Sequence, residues 1–403
     1  MLVTLVPEPG KEDRLREADT AKMAALKATM DEATLQKHID ECAELHRRQA
    51  EPDSEEARAA IPILKRTDIR REVEDFTLDT KATEGGQILY MPAKTNKIVY
   101  TNWYFDITDM PAELIPYSFL LVDVMGKFNT QKYTYQEIAT DSIMYTGGVS
   151  FNVHANSAPE DSDDYRFYMI VKAKCLLQNI AKTYDIIGSV ATESLFADKD
   201  RLEELVFELK TDWEDSIFSR GQSIAIARLY SYTSGVARLN EHDLFTYYQF
   251  LQKLCADFDN QAEAILAKLD AIIKRCFNRS NYTLAYTCDE ENRAEVEEAC
   301  LSFVNSLPEA PKAGAPAELP MLTTNEGITL PGKVQYVAAG GNFAKHGYRF
   351  TGAMRILETI LRYEYLWTKI RIQGGAYGAT ARFEINGLMA FASYRDPQLL
   401  KSF

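Results

Sequence analysis

The chain has 403 residues, 46% of them hydrophobic, which is enough for two or three domains with cores of their own. Its formal charge of −14 predicts no nucleic-acid partner, because such partners need clustered Lys and Arg. The six cysteines include no C-x-x-C pair and no apolar run is long enough to span a bilayer, so we expect neither a disulfide framework, nor a zinc ribbon, nor a membrane partner.

The amino-terminal part of the chain is predicted to form a short strand and a helical hairpin. Residues 1–10 contain an apolar strand, Leu2–Val6, which we interpret as the last strand of a preceding domain missing from this chain. Helical periodicity follows, and Asp31 is placed to cap the second helix. We therefore assign 11–85 to the hairpin and a charged connecting linker.

Residues 86–307 predict a complete α/β domain, with strands and helices alternating along the chain. Thr134 and Glu137 form a capping box at the start of one helix. The predicted elements are strands at 88–91, 98–107, 149–155, 165–174 and 282–287, and helices at 116–126, 134–147, within 176–275, and at 293–304.

A Pro- and Ala-rich linker at 308–321 leads to a second unit at 322–403, which repeats the pattern of the first. The offset from Tyr100 to Tyr336 is close to the offset from Gly147 to Gly374. The sequence thus predicts an α+β fold with tandem α/β sandwich domains, each an antiparallel sheet packed by helices. The second domain is expected to be truncated.

No zinc-protease motif is present among the five histidines, since neither H-E-x-x-H nor H-x-x-E-H occurs. The nearest pattern is His38-Ile-Asp-Glu41-Cys42, in which His38 and Cys42 lie one helical turn apart. An independent metallohydrolase using these residues is one alternative. The structural interpretation is favoured, because an exposed hairpin offers neither a third ligand nor a dry pocket. We expect no metal site and no catalytic residue in this chain.

The segment Trp367–Gly378 is the most distinctive part of the sequence. In one interpretation Arg371 neutralises carbonyls at a helix end, glycines terminate the helix, and Tyr377 begins a strand. In the other, the guanidinium and the phenol lie across a tight turn and donate to one carbonyl oxygen or oxyanion.

Several segments resemble the carboxy-terminal half of presequence proteases in the pitrilysin/insulinase family, and the resemblance covers nearly the whole chain. The R-I-Q-G-G-A-Y-G and S-Y-R-D-P segments are the specific ones. The matching segments are Arg371–Gly378, Phe391–Lys401, Asp141–Ser150, Ser219–Arg228 and the charged hairpin before residue 52.

The resemblance implies a clamshell of four homologous pitrilysin-like domains, two in each half, around a chamber that degrades unfolded peptides. Zn²⁺ would be held by an inverted motif in the first domain, which this chain lacks. Arg371 and Tyr377 map onto the pair that reaches the substrate backbone, with loop support from Gly374, Gly375 and Gly378. The implied partners are a zinc-bearing catalytic half, on the same or a separate polypeptide, and an unfolded peptide.

By this resemblance the chain alone is an inactive part of a metalloendopeptidase. The alternative is a catalytically dead scaffold subunit of the same family, although such a subunit has no need of the Arg371 and Tyr377 pair. The compartment is expected to be the cytoplasm for a bacterial source and an organelle for a eukaryotic one.

Overall fold

The structure is a computed structural model that describes residues 8–73, 75–309, 314, 315, 317–319, 322, 325–330 and 332–398. The chain divides into two compact units, Met1–Asp75 and Phe76–Phe403. The strand predicted at Leu2–Val6 lies outside the described residues. The predicted domain limits within the second unit stay predictions.

The first unit is helical. It contains α1 (Lys11–Thr29), α2 (Glu32–Ala50) and α3 (Glu55–Ala60). Asp31 caps α2 as predicted, because its Oδ1 accepts a hydrogen bond from the Thr34 N–H at 2.7 Å. The two long helices therefore form where the periodicity places them.

The second unit is built on a six-stranded sheet with helices on one face. Its strands lie in the order β1-β2-β6-β3-β5-β4, and all neighbours are antiparallel except the parallel pair β2 and β6. The strands are β1 (Asp79–Thr83), β2 (Gly86–Tyr90), β3 (Ile98–Asp106), β4 (Gly148–Ala158), β5 (Asp161–Leu176) and β6 (Tyr282–Thr287).

Nine helices belong to this part of the described chain, and most pack on the sheet or on one another. The capping box is confirmed at α5, where the Glu137 N–H donates to Thr134 Oγ1 and the Thr134 N–H donates to Glu137 Oε2. The helices are α4 (Ile115–Val124), α5 (Tyr135–Tyr145), α6 (Ile180–Thr192), α7 (Lys199–Ser216), α8 (Gly221–Ser231), α9 (Gly235–Asn240), α10 (Phe245–Ala256), α11 (Phe258–Cys276) and α12 (Arg293–Ser306).

The main core forms because β3 alternates buried and exposed side chains. Val99, Trp103 and Phe105 point to the helices and are fully buried, as their two-residue spacing predicts. Trp103 contacts the ring of Phe303 on α12 with centroids 5.3 Å apart. The sheet face is thereby fixed, and a one-residue slip of β3 would expose these rings.

A second, three-stranded sheet follows, with order β7-β9-β8 and antiparallel pairing throughout. Its strands are β7 (Ala338–Asn342), β8 (Gly378–Phe383) and β9 (Leu388–Tyr394). Between β7 and β8 lie α13 (Gly352–Ile360) and a π-helix (Leu361–Gln373). Leu366 and Ile370 of the π-helix pack with Ala379 and Ala381 of β8, and the fold class is as predicted.

The shared topology of the two sheets agrees with the predicted repeat. β3, β5 and β4 have the same order and pairing as β7, β9 and β8. Gly147 N–H donates to the Lys174 carbonyl beside the first residue of β4, and Tyr377 N–H donates likewise to Tyr394 beside β8. These equivalent bonds match Lys174 with Tyr394.

This register confirms one predicted offset and corrects the other. Asn102 pairs with Lys172 and Ala338 with Ala392, so Asn102 matches Ala338 at the offset predicted from the two leading-strand tyrosines. At the second hairpin, however, Gly147 matches Tyr377 and not Gly374. The prediction was wrong by three residues, because the turn before β8 is longer than the turn before β4.

Candidate functional site

Arg371 lies in the last turn of the π-helix, with its guanidinium stacked on an indole. The guanidinium carbon is 3.9 Å from the centroid of the Trp367 ring and 5.9 Å from that of Tyr377. A flat cation over an aromatic face is attracted by the ring quadrupole, and its N–H groups point outward at the edges. The stack therefore limits the directions in which Arg371 donates.

Glycines shape the turn that joins this helix to β8. Gly375 has φ of 84°, a left-handed conformation, and its N–H donates to the Arg371 carbonyl at 2.9 Å. At Gly374 a Cβ would lie 2.5 Å from the carbonyl oxygen of Ile370. Gly378, the first residue of β8, leaves ordinary room beside Tyr394. The helix-terminating interpretation of Gly374 and Gly375 is therefore supported, and it coexists with a functional one.

Tyr377 presents its phenol to solvent while its backbone is fixed. The Tyr377 N–H donates to the Tyr394 carbonyl at 3.0 Å, and the two rings meet edge to face with centroids 6.0 Å apart. The side chain is nevertheless 68% exposed. The turn thus brings the predicted pair, Arg371 and Tyr377, to one surface where both can donate hydrogen bonds to the same ligand.

The S-Y-R-D-P segment supports this turn from the neighbouring strand. Gln398 Nε2 donates to the Gly374 carbonyl at 2.9 Å, and Pro397 contacts Gly375. Sequence reasoning missed the supporting roles of Trp367 and Tyr394, although Trp367 stands four residues before Arg371. Lys401, at the end of the matching segment, lies outside the described residues.

The His38 pattern does not form a metal site. His38 Nδ1 lies 3.2 Å from Glu41 Oε2, and Cys42 is exposed with a free thiol. Across the described part of the chain, no group of three His, Cys, Asp or Glu residues is placed to hold a metal ion. The residues present therefore do not fit a zinc centre. The described helices also include none that is long and apolar enough to cross a membrane.

Comparison with family models places these elements in a class of peptidase chains. A family described as associated with subfamily C of peptidase M16 matches residues 5–254, and the PreP C-terminal domain matches residues 325–403. The chain belongs to this M16-associated peptidase family and corresponds to the carboxy-terminal half of pitrilysin-type peptidases, as its motifs predicted.

Curated relatives extend this likeness over almost the whole chain. Protein HypA of Clostridium perfringens is 31% identical over 99% of this chain and 41% of its own length. Presequence protease 1, chloroplastic/mitochondrial, of Arabidopsis thaliana is 27% identical over 99% of this chain and 37% of its own. The chain spans about two fifths of the length of these relatives.

Solved structures share the fold. A conserved protein from Enterococcus faecalis V583 has a TM-score of 0.55 at 14% identity, covering 78% of this chain and 75% of that one. A peptidase M16 inactive domain from Pseudomonas fluorescens has a TM-score of 0.52 at 16% identity, covering 79% and 73%. These matches confirm the predicted α+β class.

Proposed function

We propose that this chain is the substrate-binding, chamber-forming half of a zinc metalloendopeptidase that degrades unfolded peptides. The observation that carries the proposal is the joint presentation of the Arg371 guanidinium and the Tyr377 phenol on one glycine-shaped turn. The likeness to presequence proteases over 99% of the chain supports the class of substrate.

In this proposal the pair acts on the carbonyl oxygen of the scissile peptide bond. Negative charge develops on that oxygen as the tetrahedral intermediate forms, so donors aimed at it bind the transition state more tightly than the ground state. Tyr377 supplies one O–H donor and Arg371 a charged N–H fork. Trp367 keeps the fork oriented, which lowers the cost of placing it.

The zinc ion belongs, in this proposal, to a companion catalytic half, on the same or a separate polypeptide. The described residues of this chain supply no set of ligands for it. This chain therefore contributes binding and charge stabilisation only, and is inactive alone. The compartment follows the source, the cytoplasm in a bacterium and an organelle in a eukaryote.

The test is reconstitution. The purified chain, the zinc-bearing half of the same enzyme, and their mixture or fusion are each assayed on a labelled unfolded peptide. We expect hydrolysis only when both halves are present. Hydrolysis by this chain alone would contradict the proposal. Full activity with both Arg371 and Tyr377 replaced would leave the chain as a scaffold subunit.

A further inference from the structure

Strand β4 forms one edge of the six-stranded sheet, and half of its backbone groups face away from it. Among the described residues β4 pairs only with β5, and the register is regular from Gly148 to Ser157. In an antiparallel pair, alternate residues direct both N–H and C=O outward. The question is which residues these are and what satisfies them.

Asn240 of α9 identifies the outward set. Its Oδ1 accepts from the Ala155 N–H at 2.8 Å, and its Nδ2 donates to the Ala155 carbonyl at 2.8 Å. A primary amide thus makes the two bonds that a peptide unit of a neighbouring strand would make. By alternation Val149, Phe151 and Val153 also face outward, and the described residues provide no hydrogen bond to their outward groups.

The edge lacks the features that normally prevent strand pairing. Proteins protect sheet edges with charged residues, Pro, bulges or short strands. The eleven residues of β4 contain no Lys, Arg, Asp, Glu or Pro, and their bulge lies beyond Ser157. The opposite edge, β1, has five residues, of which Asp79 and Lys81 form ion pairs with α12.

Apolar side chains stand at the start of the same strand. Ile143 and Met144, in the last turn of α5, are 83% and 64% exposed. Thr146 and Gly147 connect this turn directly to β4. Exposed apolar residues beside an unpaired edge offer anchors for side chains of an added strand.

We propose that β4 binds an extended segment of an unfolded peptide by strand addition, with backbone pairing at Val149, Phe151 and Val153 and apolar contact at Ile143 and Met144. The identity of the occupant rests on the proposed function. Backbone pairing recognises extended chains of many sequences, which suits unfolded substrates. The free stretch spans only about 17 Å at strand geometry, which suits a transient peptide better than a stable dimer.

The test measures binding by this chain alone, without a companion half. The probe is a fluorescent ten-residue peptide of alternating Val and Thr, followed by anisotropy. Val149→Pro removes an outward N–H and leaves the bonds to β5 intact, so we expect its affinity to fall about fivefold or more. Ile143→Ser with Met144→Ser should also weaken binding. Thr80→Pro on the β1 edge is the matched control and should bind as the parent chain does.

Two further readouts keep the outcome independent of any folding defect. The same peptide with an N-methylated backbone should lose binding to the unaltered chain, and bound peptide should slow amide hydrogen exchange at Val149, Phe151 and Val153. Equal binding of the methylated peptide would overturn the proposal. A concentration-dependent dimer that Val149→Pro dissolves, without peptide binding, would overturn it too and assign the edge to a second copy. Peptide binding without reconstituted hydrolysis would instead overturn the proposed function alone.

Discussion

Tyr377 offers the cleanest single-atom test of the candidate site, because its exposed hydroxyl has no packing role. In the reconstituted enzyme we expect Tyr377→Phe to lower kcat/KM on an unfolded peptide by roughly tenfold to a thousandfold, as when one oxyanion donor is lost. Arg371→Lys retains charge but loses the planar fork, and should also reduce turnover. Thermal melts of both variants should match the parent chain.

Matched substitutions nearby separate a site effect from a surface effect. Tyr365→Phe and Arg362→Lys alter exposed residues of the same π-helix and should leave kcat/KM unchanged. If the Tyr377 and Arg371 variants behave like these controls, or if their losses follow a lower melting temperature, the pair has a structural role only.

Trp367 is expected to act on turnover through Arg371. Replacing it with Leu keeps an apolar side chain but removes the ring face 3.9 Å from the guanidinium. The loss should be about threefold to thirtyfold in kcat/KM, the range of a cation–π contact. Trp367→Phe should restore part of it. In an Arg371→Lys background the Trp367→Leu change should have a smaller effect, and equal effects in both backgrounds would contradict the coupling.

Sequence alone could predict that Arg371 and Tyr377 share one turn, since the glycines and the six-residue spacing are local. It could not predict the Trp367 stack, because helical spacing depends on whether the turn is α or π. The contact between Tyr377 and Tyr394 depends on the register between β8 and β9, and the residue pattern does not fix that register.

At the scale of elements, Asp289 secures the turn that leads into β3. Its carboxylate accepts backbone N–H bonds from Thr95, Asn96 and Lys97, and the latter two residues have positive φ of 53° and 66°. Such conformations are costly for residues with a side chain and need support from outside. The Lys97 N–H bond, with those of Thr95 and Asn96, lowers the pKa of Asp289.

We therefore expect Asp289→Asn to lower the melting temperature at pH 7. A depressed carboxyl pKa stabilises the fold above its unfolded value of 3.8, and that stabilisation is lost as the pH falls through the folded pKa. The difference between parent and variant should accordingly shrink between pH 5 and pH 3. Glu291→Gln, an exposed neighbour, is the control and should show no such pH dependence. A constant difference at all pH values would contradict this account.

Most elements follow from local patterns, and the exceptions have physical reasons. The strand predicted at 282–287 is β6, and the helix predicted at 293–304 is α12 with two more residues. β1 was not predicted, because its polar, exposed residues carry no alternation and its strand character comes from pairing with β2. The π-helix was predicted as an ordinary helix, since its residues favour either form.

At the scale of the whole second unit, the Ser219–Arg228 segment joins the two sheets. Ile226 of α8 packs with Ala390 and Ala392 of β9. Arg228 donates to buried Glu241 at 3.0 Å and to Glu326 at 2.8 Å. The Arg228 bond lowers the pKa of Glu326, whereas burial raises the pKa of Glu241. The motif that marked the family likeness thus has a packing role.

Gly221→Ala should weaken this junction. A Cβ there would lie 2.2 Å from the ring of Tyr336, so the ring or the helix must move, at a cost of about 1–3 kcal/mol. The measurement is the melting temperature together with the rate of limited proteolysis around residues 325–337. Gly327→Ala, which would meet no atom within 4 Å, is the matched control. Equal proteolysis in the two variants would exclude a tight junction at Gly221.

The purified chain is expected to bind no stoichiometric zinc. The described residues offer His38 only one acidic neighbour and an exposed thiol, whereas tight sites need three or four ligands. Elemental analysis after dialysis should give well under one zinc per chain, unchanged by His38→Ala. One tightly held zinc that disappears in this variant would establish the independent metallohydrolase.

The shared strand order also has a consequence for how the chain reaches its native state. Because β5 and β9 accept leading strands in the same register, an unfolded chain contains two hairpins that compete for β3 and β7. Crossed pairing within a chain or between chains is a common error of repeat architectures. We expect refolding yield to fall as protein concentration rises, and to improve when the first sheet is allowed to form before β7 to β9 emerge, as synthesis from the amino terminus permits.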